Sequence, residues 1–466
     1  MTPSDAERFF EQALEHHACG RDEEAKAEYV RALAADATHR GALNNLGTLL
    51  FNTGFRSAAR TAYRQAVAAH PNDLMSRVNY GNALYDNGEL WQAREQFEAA
   101  LAVDPGCVDA HRGMANVLER LGDLAGAEEH RDLGYRGRSI AVLPYRGTGR
   151  ATAVLLLISA LGGNVNTEHF LDDRRYLVTK LFAEYYDPSE FLPFHAFVFN
   201  AIGDADLSAR ALDNACALLR RTNAPAINIP ENVARTTRCE TSVRLGELPG
   251  VVTARTQRFS RRELAAPHAI QRLRESGFGL PFLLRSPGFH TGHHFVKIDS
   301  PDGLRPAVDG LPGNELLAIE YLDTRSRDGL VRKYRTMIVD GKLYPLHLAV
   351  SQDWKVHYFT ARTASDPAHR EEERRFLEDA RSAVGEDAMR ALESIAEALQ
   401  LDYAGIDFAL DDRGNVVVFE ANAPMLVPPV PADPVFDYRR PAVDRIFAAL
   451  DAMLSSRAGE PGAKRA

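Results

Sequence analysis

The stretch GIDFALDDRGNVVVFEANAPM, residues 405–425, reads as two short strands folded back on each other. Asp407 to Leu410 and Val416 to Glu420 are the strands, and the DDRGN between them is rich in turn-forming residues. Asp407 lies on the first strand. Glu420 and Asn422 end the second, two residues apart and therefore on one face. Pairing of the strands brings all three to one point. Two carboxylates and an amide oxygen are hard donors suited to Mg²⁺, an ion that usually also takes substrate phosphates as ligands. Acidic residues also decorate solvated hairpin ends, which is the plainer alternative. Against it, Glu420 follows four apolar residues, Val416 to Phe419, and a partly buried carboxylate calls for a cationic partner.

The same stretch resembles the metal-binding signature of the ATP-grasp superfamily, in its carboxylate–amine ligase branch. The resemblance implies that Asp407, Glu420 and Asn422 hold magnesium on ATP, so ATP and Mg²⁺ are the expected cofactors. It runs through most of Ala141 to Asp444. RKYRTMIVDGK, residues 332–342, resembles the strand that sets an arginine at the phosphates, which makes Arg335 the expected catalytic residue. There it would neutralise charge developing on a transferring phosphoryl group; on a surface strand it would be an ordinary solvated charge. Where that family often has an acidic residue two positions earlier, this chain has Lys333. LAIEYLDT, residues 317–324, resembles the hinge between two ATP-binding lobes. Ile319 to Leu322 would then supply backbone contacts to adenine, with Glu320 the side chain expected to reach the base.

Two phosphate-gripping lysines of the family are arginines here. PFLLRSPGFHTGHH, residues 281–294, puts Arg285 before a loop whose Gly288 and Gly292 would let it fold over phosphates. INIPENVARTTR, residues 227–238, puts Arg238 at the other position. Positive charge is kept, but a planar fork replaces a compact ammonium. His290, His293 and His294 cluster in the same loop, either as metal ligands or as ordinary loop histidines.

Upstream, Ile140 to Leu143, Ala153 to Ser159, His195 to Asn200 and Ala226 to Ile229 read as buried strands, and Leu207 to Arg220 as a helix. The alternation predicts an α/β unit with a parallel sheet. It resembles the small domain that precedes ATP-grasp lobes. Its loops Gly162-Gly163-Asn164 and Gly203-Asp204 follow strands, where such sheets bind ligands, and mark the expected acceptor side; plain turn chemistry accounts for them equally. Downstream, Arg332 to Val339 and Lys342 to Val350 flank a tight Asp340-Gly341 turn. Pro367 to Gln400 reads as a long charged helical region and Pro441 to Ser455 as the last helix.

The first third of the chain repeats with a period of 34: Gly20, Gly54, Gly88 and Gly122 share it. So do Ala25, Ala59, Ala93 and Ala127, then Tyr29, Tyr63 and Phe97, then Ala32, Ala66 and Ala100. Pro71 and Pro105 close two units, and Gly47 and Gly81 sit inside first helices. Small residues let paired helices approach, glycine ends the first helix, and an aromatic fills the gap. The pattern resembles the tetratricopeptide repeat, with end copies degraded at Ala37 and Arg131. The resemblance implies a surface for a peptide or protein partner; an oligomerisation or purely structural appendage is the alternative.

The chain has 466 residues and a net charge of −9 from 55 basic and 64 acidic side chains. An acidic total argues against a chain-wide grip on nucleic acid or anionic membranes. No apolar run approaches the ~20 residues of a membrane span, the N-terminus lacks signal-peptide character, and the four cysteines form no paired motif. A cytoplasmic protein is expected. The predicted layout is an all-α repeat domain at 1–135, a small α/β domain at 139–230, an ATP-grasp α+β domain at 231–456 and a disordered tail at 457–466. The expected activity is amide formation from a carboxylate and an amine through an acyl phosphate, on an amino acid or a peptide presented by the repeats. A phosphotransferase, or a repeat scaffold with a degenerate ATP-grasp domain, are the alternatives.

Overall fold

Glycine in the left-handed conformation ends the first helix of each repeat, with φ of +69° at Gly20 and +88° at Gly54. The helices so delimited are α1 (Pro3–Ala18), α2 (Asp22–Ala35), α3 (Arg40–Asn52), α4 (Arg56–Ala69), α5 (Leu74–Asp86), α6 (Leu90–Val103), α7 (Val108–Leu121) and α8 (Leu124–Tyr135). They pack as consecutive hairpins in a unit spanning Met1–Arg138. The 34-residue spacing has a direct packing cause. A Cβ on Gly47 would lie 2.5 Å from the Tyr63 ring, and one on Gly81 would lie 2.8 Å from Phe97. The glycines clear room for the aromatics, and Tyr29, Tyr63 and Phe97 are all buried. In the last copy the aromatic position holds Arg131, also buried, whose Nη2 donates to Glu119 Oε2 at 2.9 Å.

The computed structural model describes residues 3–289, 292, 294–356, 363–431 and 433–459. Its second unit spans Ser139–Ala466 and contains three sheets. The first has the order β1-β3-β2-β4-β5, from β1 (Ile140–Val142), β2 (Thr152–Ile158), β3 (Tyr176–Phe182), β4 (Phe197–Asn200) and β5 (Ala226–Ile227). It is parallel except for its antiparallel edge strand β1. The expected helix is α9 (Ala209–Leu219), between β4 and β5; β2 reaches β3 through turns alone. Two short helices follow, α10 (Pro230–Ala234) and α11 (Arg238–Gly246).

A parallel edge strand β6 (Val251–Thr253) precedes a four-stranded antiparallel sheet of order β7-β10-β8-β9. Its strands are β7 (Thr256–Ser260), β8 (Phe282–Arg285), β9 (Phe295–Ile298) and β10 (Glu315–Glu320). This sheet has its own apolar core, centred on Phe259, Phe278, Phe282 and Leu316. The third sheet, order β12-β11-β13-β14-β6, adds β11 (Val331–Val339), β12 (Lys342–Ser351), β13 (Tyr403–Leu410) and β14 (Val416–Asn422). One continuous core joins it to the first sheet, from Leu157 and Phe199 to Met337, Ile406 and Ile446. The stretches 139–230 and 231–456 are thus packed together on shared apolar side chains.

Pro367 to Gln400 is helical, in three segments, Pro367–Glu378, Ala380–Val384 and Glu386–Leu399. Asp379 breaks the first junction by capping the second helix through Ser382 N, and Gly385 breaks the next at φ +90°. One local expectation needs correction: the tail does not begin at residue 457. The last helix is Arg440–Arg457, and Arg457 Nη2 donates to Asp340 Oδ1 and Asp402 Oδ1, both at 2.9 Å. Residues 460–466 lie outside the described residues. Among the described residues no helix is long and apolar enough to cross a membrane.

Candidate functional site

Strand register assembles the site. Asp407 on β13 pairs with Glu420 on β14 and with Arg335 on β11, and Arg335 pairs in turn with His347 on β12. His347, Arg335, Asp407 and Glu420 therefore form one row across four strands. Both outer ladders slip just beyond the row, so that Leu346 and Phe419 are bulged out. Bulges of this kind re-aim side chains and recur near functional sites. Here they put His347 and Glu420 in line.

Asp407 has no exposed side-chain surface and is held by two cations. Arg335 meets it with both arms of its fork, Nε to Oδ1 at 2.5 Å and Nη2 to Oδ2 at 2.8 Å. Lys333 Nζ stands 2.6 Å from Oδ2. Burial alone would push the Asp407 carboxyl up, but Arg335 and Lys333 together hold it far below the usual carboxylate range. The His347 ring is also driven well below its ordinary pKa, by burial and then by Arg335, so it is neutral.

Glu420 faces the other two arginines. Arg238, the first residue of α11, donates from Nη2 to Glu420 Oε1 at 2.5 Å, and Asn422 Nδ2 donates to the same oxygen at 2.7 Å. Burial opposes ionisation of Glu420, yet Arg238 and then Arg285 bring its pKa down to about 2. Arg285, at the end of β8, is itself pulled down to about 10 by burial and by Arg238. Its Nη2 donates to Phe289 O, and the following loop closes through Ser286 N to His294 O at 3.1 Å. Gly288 and Gly292 take positive φ there. His294 packs against Phe289, while His290 and His293 lie outside the described residues, so the expected histidine cluster is not described as a group.

All eight residues singled out in the sequence, Arg238, Arg285, Glu320, Leu322, Arg335, Asp407, Glu420 and Asn422, line one cavity of about 360 Å³ between the second and third sheets. Glu320 lines the cavity, and its Oε2 accepts from Arg255 N at 3.1 Å, tying the end of β10 to the β6–β7 connection. The same end of the cavity has an aromatic wall that sequence reasoning missed: Trp354 meets Phe295 and Tyr321 edge-on, at 5.5 and 6.2 Å between centroids. Lys355 and His347 are further cavity residues that no motif marked.

The loops assigned to an acceptor side meet each other and the site. Gly203 N and Asp204 N both donate to Gly163 O at 3.0 Å. A Cβ on Gly203 would meet Pro424, in the turn just after Asn422. Asp206 Oδ2 accepts from Arg238 N at 3.0 Å.

These contacts test the expected magnesium ligands. Glu420 and Asn422 are oxygen-bearing and face the cavity, but Asp407 does not fit: both its oxygens already serve cationic side chains. A Mg²⁺ needs near-octahedral oxygen ligands at about 2.0–2.1 Å and would have to displace them. Among the described residues no three His, Cys, Asp or Glu side chains gather as a metal-holding group.

Comparison with known proteins bears on the first unit. The tetratricopeptide-repeat family matches residues 44–90 and 81–130. Residues 44–130 are tetratricopeptide repeats. Solved structures similar to the chain include a MamA protein, at 18% identity over 28% of this chain and 71% of that one, with a TM-score of 0.27. YrrB, described as a tetratricopeptide-repeat protein with an unusual peptide-binding site, is 26% identical over 28% and 68%, with a TM-score of 0.26. PilF of Pseudomonas aeruginosa is 25% identical over 28% and 60%, with a TM-score of 0.27. No curated protein of similar sequence was found. The chain is thus a helical-repeat region of tetratricopeptide type followed by a mixed α/β region.

Proposed function

We propose that residues 139–456 are an ATP-grasp-type domain and that the protein is an ATP-dependent ligase joining a carboxylate to an amine. One observation supports this most. The eight site residues that the resemblance implies, from four separate motifs and the expected hinge, line the same cavity between two sheets. The cationic fork of Arg335, with Arg238 and Arg285 opposite, suits the polyphosphate of a nucleotide, and the aromatic wall with Ile319 to Leu322 suits its base.

The chemistry is a double displacement. A substrate carboxylate oxygen attacks the γ-phosphorus of ATP; the new O–P bond forms as the bond to ADP breaks. The amine then attacks the acyl carbon, phosphate leaves, and the nitrogen gives up a proton to leave an amide. Protein side chains contribute positioning and charge neutralisation, mainly through Arg335, Arg238 and Arg285. Magnesium accompanying the nucleotide would have Glu420 and Asn422 as its donors rather than Asp407. The Gly163 and Gly203 loops, adjoining Pro424, border the acceptor side. The tetratricopeptide repeats would present a peptide substrate or partner.

Incubation with ATP, Mg²⁺ and pooled amino acids or peptides tests the proposal. ADP together with a product mass equal to an amide condensation supports it. A phosphorylated product would make the protein a phosphotransferase, and absence of any turnover would leave a repeat scaffold with a degenerate domain.

A further inference from the structure

The feature that sets this cavity apart is the lysine at the start of the row. Lys333 lies two residues before Arg335 on β11, on the same face, and its ammonium touches the fully buried Asp407 from the cavity side. An ammonium has three donors; with one used on Asp407 Oδ2, the others remain for a ligand in the cavity that Lys333 lines. Charge balance points the same way. Among the described residues the cavity is lined by five cationic side chains, Arg238, Arg285, Lys333, Arg335 and Lys355, against three carboxylates, Glu320, Asp407 and Glu420. The surplus of two positive charges lies in a cavity whose Asp407 and Arg285 side chains are buried, where a polyanion gains most. A divalent cation at Asp407 would add to that surplus and displace cations already hydrogen-bonded there.

We propose that Lys333 takes, against Asp407, the position of a divalent cation, so that the cavity grips a nucleotide polyphosphate through its own side chains and keeps that grip when magnesium is withdrawn. This rests on the nucleotide-binding reading of the same cavity and adds to it which charge neutralises the phosphates.

Isothermal titration of ATP into the full-length chain, once with Mg²⁺ and once with EDTA, decides the matter. The dissociation constant in EDTA should stay within about threefold of that in Mg²⁺. Lys333→Gln should weaken binding in EDTA by about tenfold, and Lys333→Arg should retain most of the affinity. Binding by the native chain that is tight in Mg²⁺ and vanishes in EDTA overturns the inference while leaving the nucleotide site standing. No binding in either condition removes both. The comparison on the native chain needs no variant, so a Lys333→Gln chain that folds poorly does not blunt the test.

Discussion

The guanidinium of Arg238 donates to Glu420 Oε1 at 2.5 Å across 182 residues of sequence. It joins the first turn of α11 to the end of β14, and Arg285 adds its field from the neighbouring sheet. Charge-assisted contacts of this kind fix a fork's orientation. Glu420→Gln keeps the shape and removes the charge. The cavity then becomes more positive, so ATP affinity should hold or rise, while Arg238 loses its orienting partner and the Glu420–Asn422 pair loses its hard donor. Amide formation should fall about a hundredfold, the scale of removing one preorganised charge-stabilising group. Calorimetry for binding and ADP release for turnover separate the two effects; unchanged turnover would sink the site assignment.

Acid should weaken the second unit through the same two carboxylates. Their folded pKa values lie below the ordinary values of 3.8 for Asp407 and 4.5 for Glu420. A depressed carboxylate contributes stability fully above its unfolded pKa and loses it as pH falls toward the folded one. For Glu420 the window runs from about pH 4.5 down to about 2, and Asp407 extends it lower. Each group tilts stability by at most about 1.4 kcal/mol per pH unit there. Urea unfolding followed through Trp354, in a Trp91→Phe background, should show a midpoint that drops steeply below pH 4.5 and a flatter dependence in Glu420→Gln. Parallel curves for the two chains would contradict the pairing.

Part of this site was legible from alternation, which sets Glu420 and Asn422 on one face of β14. Regular pairing from Leu410–Val416 would set Phe419 opposite Asp407; the bulge at Phe419 brings Glu420 there instead. The Asp340-Gly341 turn likewise sets the pairs Val339–Lys342 through Thr336–Pro345. Continued regularly, that ladder would set Leu346 opposite Arg335; the bulge substitutes His347, and no local signal announces it. Lys333 was visible as a departure from the ATP-grasp pattern, but its contact with Asp407 depends on side-chain reach across two strands. The contact of Glu320 with Arg255 N was hidden for a related reason: it comes from a neighbouring connection 65 residues away. The long helical region was legible as helical, but not its division at Asp379 and Gly385, because helical composition spans both and the capping role of Asp379 shows only in the local geometry.

The repeat unit offers a packing prediction. Phe97 is fully buried, and the ring abuts both Gly81 of its own hairpin and Gly113 of the next. Phe97→Ala should cost about 3–5 kcal/mol by opening a cavity. Gly113→Val should cost about 1–3 kcal/mol by overpacking against the ring. Since the two errors are opposite in sign, the double variant should be less destabilised than the single costs added together. Urea midpoints from helical circular dichroism give the coupling. Strict additivity would show that the ring and Gly113 do not share one space.

Deleting Met1–Arg138 tests whether the tetratricopeptide repeats serve the chemistry. The second unit keeps its own cores, around Leu157 and Met337 and around Phe282 and Leu316, so the cavity should persist in the truncated chain. If the repeats hold a peptide, they raise its effective concentration at the cavity, and their removal costs affinity for that substrate alone. Ligation of a peptide should then fall by about tenfold or more, with peptide KM rising, while hydrolysis of ATP without acceptor changes little. Equal loss of both activities would mean that the repeats stabilise the second unit rather than deliver substrate. Adding the separate 1–138 fragment back should fail to restore ligation at low concentration, because the advantage of a covalent tether is lost when the parts are free.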